Sequence, residues 1–113
     1  MQLLVIVLNK TECLEAILEE LAESRITGAT VLDSHGMAQS LSGHDELRFM
    51  MSLRLLLNPE HRENKTIFMV LEEDRVATVS AIVNRITGGL DRPDTGILFT
   101  VPVNHIEGLD QTT

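Results

Sequence analysis

The apolar positions fall into blocks that predict alternating strands and helices. Residues 3–8 form a continuous apolar run, which is typical of a strand covered on both faces or lying at a subunit contact. Apolar residues then recur at helical spacing over residues 14–21, while glutamates occupy the other face. Asn9 is predicted to cap this helix, with Glu12 at the capping-box position, and Gly28 to terminate it after Arg25.

The rest of the chain repeats this order after an insert. The predicted elements are a strand at 29–34, a β-prone strand at 65–71, a helix at 72–86 with an acidic first turn and a Gly88-Gly89 end, and a strand at 97–103 that closes near Pro102. Within the insert, residues 46–57 are apolar at every second position, yet Leu, Met and Arg favour a helix. We expect a short helix there, and a strand is the alternative.

The element order predicts an α+β fold of the ferredoxin-like β-α-β-β-α-β kind, an antiparallel sheet with both helices on one face. The length suits a single domain over residues 1–113, with 36–64 as an inserted loop and 104–113 as a tail. The second face of such a sheet would be apolar and uncovered. We therefore expect the domain to self-associate through that face.

Charge and composition exclude several classes of function. A formal net charge of −8 argues against nucleic-acid binding through a basic surface. The apolar run at 3–8 is too short to insert in a membrane and lacks the flanks of a signal peptide, so a cytoplasmic location is expected. Cys13 is the single cysteine, and Glu12 and Glu15 beside it would raise its pKa, so it is predicted to be a small buried hydrophobe.

Three stretches, residues 1–36, 65–86 and 87–106, together resemble the PII nitrogen-regulatory proteins. The first resembles their opening strand and helix, the second their third strand and second helix, and the third their Thr-Gly loop and Gly-x-Ile-Phe-Val-x-Pro-Val strand. The resemblance implies a homotrimeric signalling protein rather than an enzyme. It also implies an adenine nucleotide (ATP, ADP or AMP) between subunits, and a long loop that docks on a partner enzyme, transporter or regulator.

The resemblance assigns the ligand contacts to the long loop at 36–64, the short loop at 87–96 and the tail. The implied contacts are Gly36, Met37, Gly88, Gly89, Arg92, Gly96 and His105. The chain has no Tyr, Gly89 and Ile97 stand where the family has lysines, and residues 104–113 contain no Arg or Lys. A triphosphate needs several cations, and of the expected set only Arg92 remains. A less charged nucleotide, another small molecule and no ligand are therefore the alternatives.

The insert carries the predicted partner-docking residues, Arg48, Phe49, Met50 and Arg54. Methionine adapts to varied surfaces, and the arginines make this the least acidic part of the chain. The alternative interpretation is that this segment folds back onto the trimer.

Other functions have less support in the sequence. A CutA-like metal-binding or structural trimer is the main alternative, with His35 and His44 flanking the loop, although no zinc-site spacing is present. No serine has an identified base beside it, and no carboxylates are evidently paired, so catalysis is not expected. An amino-acid-sensing ACT-type module shares the element order but is usually attached to a larger enzyme.

Overall fold

The structure, a computed structural model, describes residues 1–37 and 63–109. Its regular elements in chain order are β1 (Gln2–Leu8), α1 (Leu14–Glu23), β2 (Thr30–Ser34), β3 (Asn64–Leu71), α2 (Val76–Thr87) and β4 (Gly96–Pro102). Short 3₁₀ turns, Thr11–Cys13 and Glu73–Arg75, lead into the two helices. The predicted α+β class is confirmed, whereas residues 46–57 lie outside the described residues.

The four strands form one open antiparallel sheet in the order β2-β3-β1-β4. β3 therefore lies between β1 and β2, and β2 and β4 form the two edges. This arrangement is compatible with a ferredoxin-like fold. Pro102 stands at the end of an edge strand, where its missing N–H group interrupts the ladder least.

The hydrophobic core lies between one face of the sheet and both helices. Burial alternates along β1 and β3, so that every second side chain points towards the helices. The core consists of Leu4, Ile6, Leu8, Ile17, Leu21, Ile26, Ile67, Met69, Leu71, Val79, Ile82 and Val83. Both helices contribute to this one cluster, which places them on the same face of the sheet, as predicted.

The end of α1 differs from the prediction. Arg25, rather than Gly28, takes the left-handed conformation, with φ of 62°. Ile26 N–H bonds to Leu21 O at 2.8 Å and Arg25 N–H to Ala22 O at 3.0 Å, which is the Schellman pattern. The helix ends before Ile26 because Ile26 is buried in the core. If the helix continued to Gly28, Ile26 would lie on the helix surface.

The predicted cap of α1 is also wrong. The 3₁₀ turn that leads into α1 begins after Lys10, and in the described part of the chain no side chain caps it. Asn9 instead uses its backbone N–H to contact the loop before β4. The end of α2 agrees with the prediction, because Gly88 adopts the left-handed conformation with φ of 88°.

Candidate functional site

A cleft of about 280 Å³ opens where the end of β1 meets the start of β4. Its walls come from β1, from the segment after β1 and from the loop that joins α2 to β4. The lining residues are Val7, Asn9, Arg92, Asp94, Thr95, Gly96 and Ile97. This cleft combines two apolar side chains with two opposite charges.

The floor of the cleft is formed by a close backbone approach. Thr95 O accepts hydrogen bonds from Asn9 N at 3.0 Å and from Lys10 N at 3.2 Å, and Thr95 itself is buried. Gly96 has φ of 148°, and a Cβ placed on it would lie 2.5 Å from Val7 O. Only glycine lets β4 begin this close to β1.

The loop from Gly88 to Thr95 is held at its α2 end by side chains. Asn84 Oδ1 accepts a hydrogen bond from Leu90 N at 2.8 Å, and Asn84 Nδ2 donates to Ser80 O at 2.9 Å. Buried Thr87 donates from Oγ1 to Val83 O at 2.7 Å. Lys10 Nζ donates to Thr87 O at 2.9 Å, which ties the last turn of α2 to the segment after β1. The charged residues of the loop are therefore carried on a constrained backbone.

Arg92 and Asp94 give the cleft a cation and an anion. Both residues are exposed. Within residues 1–37 and 63–109, neither side chain forms an ion pair, with the other or with a third residue. The cleft therefore presents two separate charges that a ligand can reach.

The residues predicted as ligand contacts fall into separate places in one chain. Arg92 and Gly96 line the cleft. Gly88 and Gly89 precede Arg92 in the loop that joins α2 to β4, but neither of them lines the cleft. Gly36 and Met37 follow β2. The end of β2 lies at the same end of the sheet as the cleft, because Ser34 pairs with Asn64 while Leu8 pairs with both Lys65 and Gly96. β2 and β4 are opposite edges of the sheet, so Gly36 and Met37 lie beyond the edge that is farther from the cleft. His105 follows the far end of β4, where it is exposed and lies 3.4 Å from Glu107.

Sequence reasoning missed several residues of the cleft. The pattern predicts Asn9 as a helix cap, whereas in the structure Asn9 lines the cleft. Thr95 and Asp94 carried no motif, and their position depends on the pairing of β1 with β4. The predicted docking residues, Arg48, Phe49, Met50 and Arg54, lie outside the described residues.

The face of the sheet opposite the helices is largely apolar, and no element within residues 1–37 and 63–109 covers it. We call it the open face. The side chains of β1 that alternate with the buried ones lie on this face, together with their partners on the neighbouring strands. The apolar residues of the open face are Leu3, Val5, Val7, Leu32, Phe68, Val70, Ile97, Phe99 and Val101. Its polar residues are Thr30, Ser34, Asn64 and Thr66, on β2 and β3. Ile97 is 58 % exposed and Phe99 45 %. Apolar patches of this kind mark an interaction surface.

Among the described residues, Cys13, His35 and His105 belong to no group of side chains that could hold a metal ion. Burial and then the charge of Glu12 raise the pKa of the Cys13 thiol, and Lys10 opposes them. The thiol also lies 3.8 Å from Ile86 O as a weak donor, in agreement with a structural role. In the two described ranges, no three His, Cys, Asp or Glu side chains are grouped to hold a metal ion. Neither helix there is long and apolar enough to cross a membrane.

Comparison with known proteins gave no match to any protein-family model and none to any curated protein sequence. The resemblance to the PII nitrogen-regulatory proteins therefore stays a prediction from the motifs.

Proposed function

We propose that this chain is a homotrimeric, PII-like regulatory protein that binds a small effector between subunits and thereby changes its contact with a partner protein. The observation that supports this proposal most directly is the position of Val7 and Ile97. Both residues lie on the open face and both line the cleft. A second copy packed on the open face would therefore form a wall of the cleft, and ligand binding would be coupled to assembly.

Self-association is favoured by the energetics of the open face. Phe99 is 45 % exposed. A phenylalanine side chain that buries the remaining half of roughly 200 Å² gains about 2 kcal/mol at 25 cal/mol per Å². Leu32, Ile97 and Val101 are exposed to a similar extent. A small domain has a limited core, so apolar area buried between subunits adds a large share to its stability.

Assembly would also bring together the two groups of predicted ligand contacts. Gly36 and Met37 are separated from the cleft by the width of the sheet, about 14 Å at three strand spacings. One chain cannot close that distance. If the β2 edge of one subunit lies beside the β4 edge of its neighbour, Gly36 and Met37 would border the neighbour's cleft. The long loop at 36–64 would then begin at the effector, which is how binding would reach a partner protein.

The effector is proposed to carry an anionic group that contacts Arg92. Guanidinium groups bind carboxylates and phosphates through paired hydrogen bonds. An adenine nucleotide is the class that the resemblance implies, and it is the first class to test. The proposal assigns no catalytic step to the chain and expects it to act in the cytoplasm.

The proposal is tested by a thermal-shift screen of the purified protein with ATP, ADP, AMP, 2-oxoglutarate and divalent metals. A ligand that binds only the folded state raises the melting temperature. We expect at least one anionic compound to do so in the wild-type protein and not in Arg92→Gln. Arg25→Gln is the matched control, because Arg25 is an exposed arginine after α1, at the other end of the sheet.

Two results would contradict the proposal. If an anion stabilises wild type and Arg92→Gln equally, Arg92 is not the contact. If divalent metals alone stabilise the protein, the CutA-like alternative is preferred.

A further inference from the structure

The chemistry of the cleft indicates which class of effector it takes. Arg92 and Asp94 line the same cleft two residues apart, yet no ion pair joins them in the described part of the chain. Opposite charges this close in sequence usually have the freedom to pair on a flexible loop. In residues 1–37 and 63–109 no ion pair joins them, and the backbone of this loop is restricted at several points.

The backbone of the loop is restricted between the two charged residues and on either side of them. Pro93 stands between them and fixes its own φ, and Asp94 has φ of 58°. Arg92 N–H bonds to Gly89 O at 3.2 Å, and Thr95, the next residue after Asp94, is buried against β1. The left-handed conformation at Asp94 is uncommon for a residue with a Cβ, although Asp tolerates it better than most. The loop therefore carries the two charges on a restricted backbone, as groups that form no ion pair with each other in the described residues.

The pair of charges makes a polyanion a weaker match to the cleft than a zwitterion. A phosphate near Arg92 would be attracted by the guanidinium group and repelled by the Asp94 carboxylate. The two formal charges of the lining sum to zero, so a ligand with one cationic and one anionic group complements it best. A volume of about 280 Å³ lies at the lower end of small-molecule sites and fits a compact ligand. Val7 and Ile97 add an apolar wall.

We propose that the effector is a free α-amino acid with an apolar side chain, whose carboxylate contacts Arg92 and whose ammonium group contacts Asp94. This inference rests on the cleft assigned under the proposed function and specifies its ligand. The carboxylate accepts paired hydrogen bonds from the guanidinium group, and the ammonium group donates to the carboxylate of Asp94. The amino acid side chain packs on Val7 and Ile97.

The test is calorimetric titration of the full chain with L-leucine, L-isoleucine, L-valine and L-methionine. We expect at least one of them to bind. The N-acetyl derivative of that amino acid, which lacks the ammonium group, and its α-amide, which lacks the carboxylate, should each bind at least about tenfold more weakly, because each loses one charge-assisted contact.

Asp94→Asn is the decisive variant. Asn keeps the shape of the side chain and tolerates the left-handed conformation, so the loop should fold as before. We expect affinity for the amino acid to fall at least about tenfold. Asp91→Asn is the matched control, since Asp91 lies in the same loop but does not line the cleft, and it should bind as wild type does.

Failure of this inference can be separated from failure of the proposed function. If none of the four amino acids binds, or if one binds equally well to Asp94→Asn, the inference is wrong. If AMP or 2-oxoglutarate binds through Arg92 and none of the four amino acids binds, the inference is wrong while the proposed function stands. If neither the amino acids nor the anions bind, both are wrong.

Discussion

Replacement of Gly96 by alanine tests the close approach of β4 to β1 that forms the floor of the cleft. Gly96 has φ of 148°, and an added Cβ would lie 2.5 Å from Val7 O and 3.3 Å from Leu8 Cα. Both contacts are to the backbone of β1, a central strand paired on each side. No side chain can rotate to relieve them, so the sheet itself would have to shift.

The expected loss follows from two effects. Placing a Cβ in a sparsely populated backbone region costs roughly 1–3 kcal/mol. Displacing packed backbone costs roughly 1–3 kcal/mol more. We therefore expect Gly96→Ala to lower the free energy of unfolding by about 4 kcal/mol, a large share of the 5–15 kcal/mol that is roughly typical of a domain.

Gly88→Ala provides the matched control. Gly88 also has positive φ, at 88°, but an added Cβ would have nothing within 4 Å. The Gly88→Ala variant should lose only about 1–2 kcal/mol of its free energy of unfolding, because alanine must adopt the left-handed conformation. Thermal unfolding followed by circular dichroism, at one chain concentration, should place the midpoint of Gly96→Ala about 10 °C below that of Gly88→Ala. Equal midpoints for the two variants would refute the close approach of the strands.

Three further outcomes follow from side-chain contacts. Asn84→Ala should speed hydrogen exchange of the amides in the loop after α2, by removing the acceptor of a 2.8 Å bond and costing about 1 kcal/mol; unchanged exchange would argue against this anchor. Glu12→Gln should lower the pKa of the Cys13 thiol and speed its alkylation at neutral pH, measured by mass spectrometry. Hydrogen bonding to Arg85 lowers the pKa of Glu20. The contribution of the Glu20–Arg85 pair to stability is therefore complete at neutral pH and is lost as the pH falls through the lowered pKa of Glu20. In Arg85→Gln, an NMR titration should find the pKa of Glu20 in its ordinary range.

Short-range sequence patterns predicted the fold correctly wherever a single residue type determines the backbone conformation. The apolar periods located the strands to within a residue or so, and Gly88 ended α2 where expected. The signals failed at the end of α1, where Arg25 takes the left-handed position although Gly28 follows it closely. Burial of Ile26 decides that turn, and burial is a property of the tertiary structure.

The candidate site was only partly accessible to sequence reasoning. Arg92 and Gly96 were identified through the resemblance, and both line the cleft. Asn9 and Thr95 were not, because they are far apart in sequence and meet only through the register of β1 and β4. The left-handed conformation of Asp94 likewise corresponds to no sequence motif.

The most direct test of the account is the mass of the protein in solution, measured by sedimentation velocity at micromolar chain concentration. The central claim is that three copies of the chain associate through the open face. The molar mass obtained for the wild-type protein should therefore be three times that of one chain. Phe99→Lys places a charge on the open face, midway along the edge strand β4, and should give a smaller species. Ala81→Lys, on the exposed side of α2, should remain trimeric. A monomeric wild-type protein, or a Phe99→Lys variant that stays trimeric, would contradict the account.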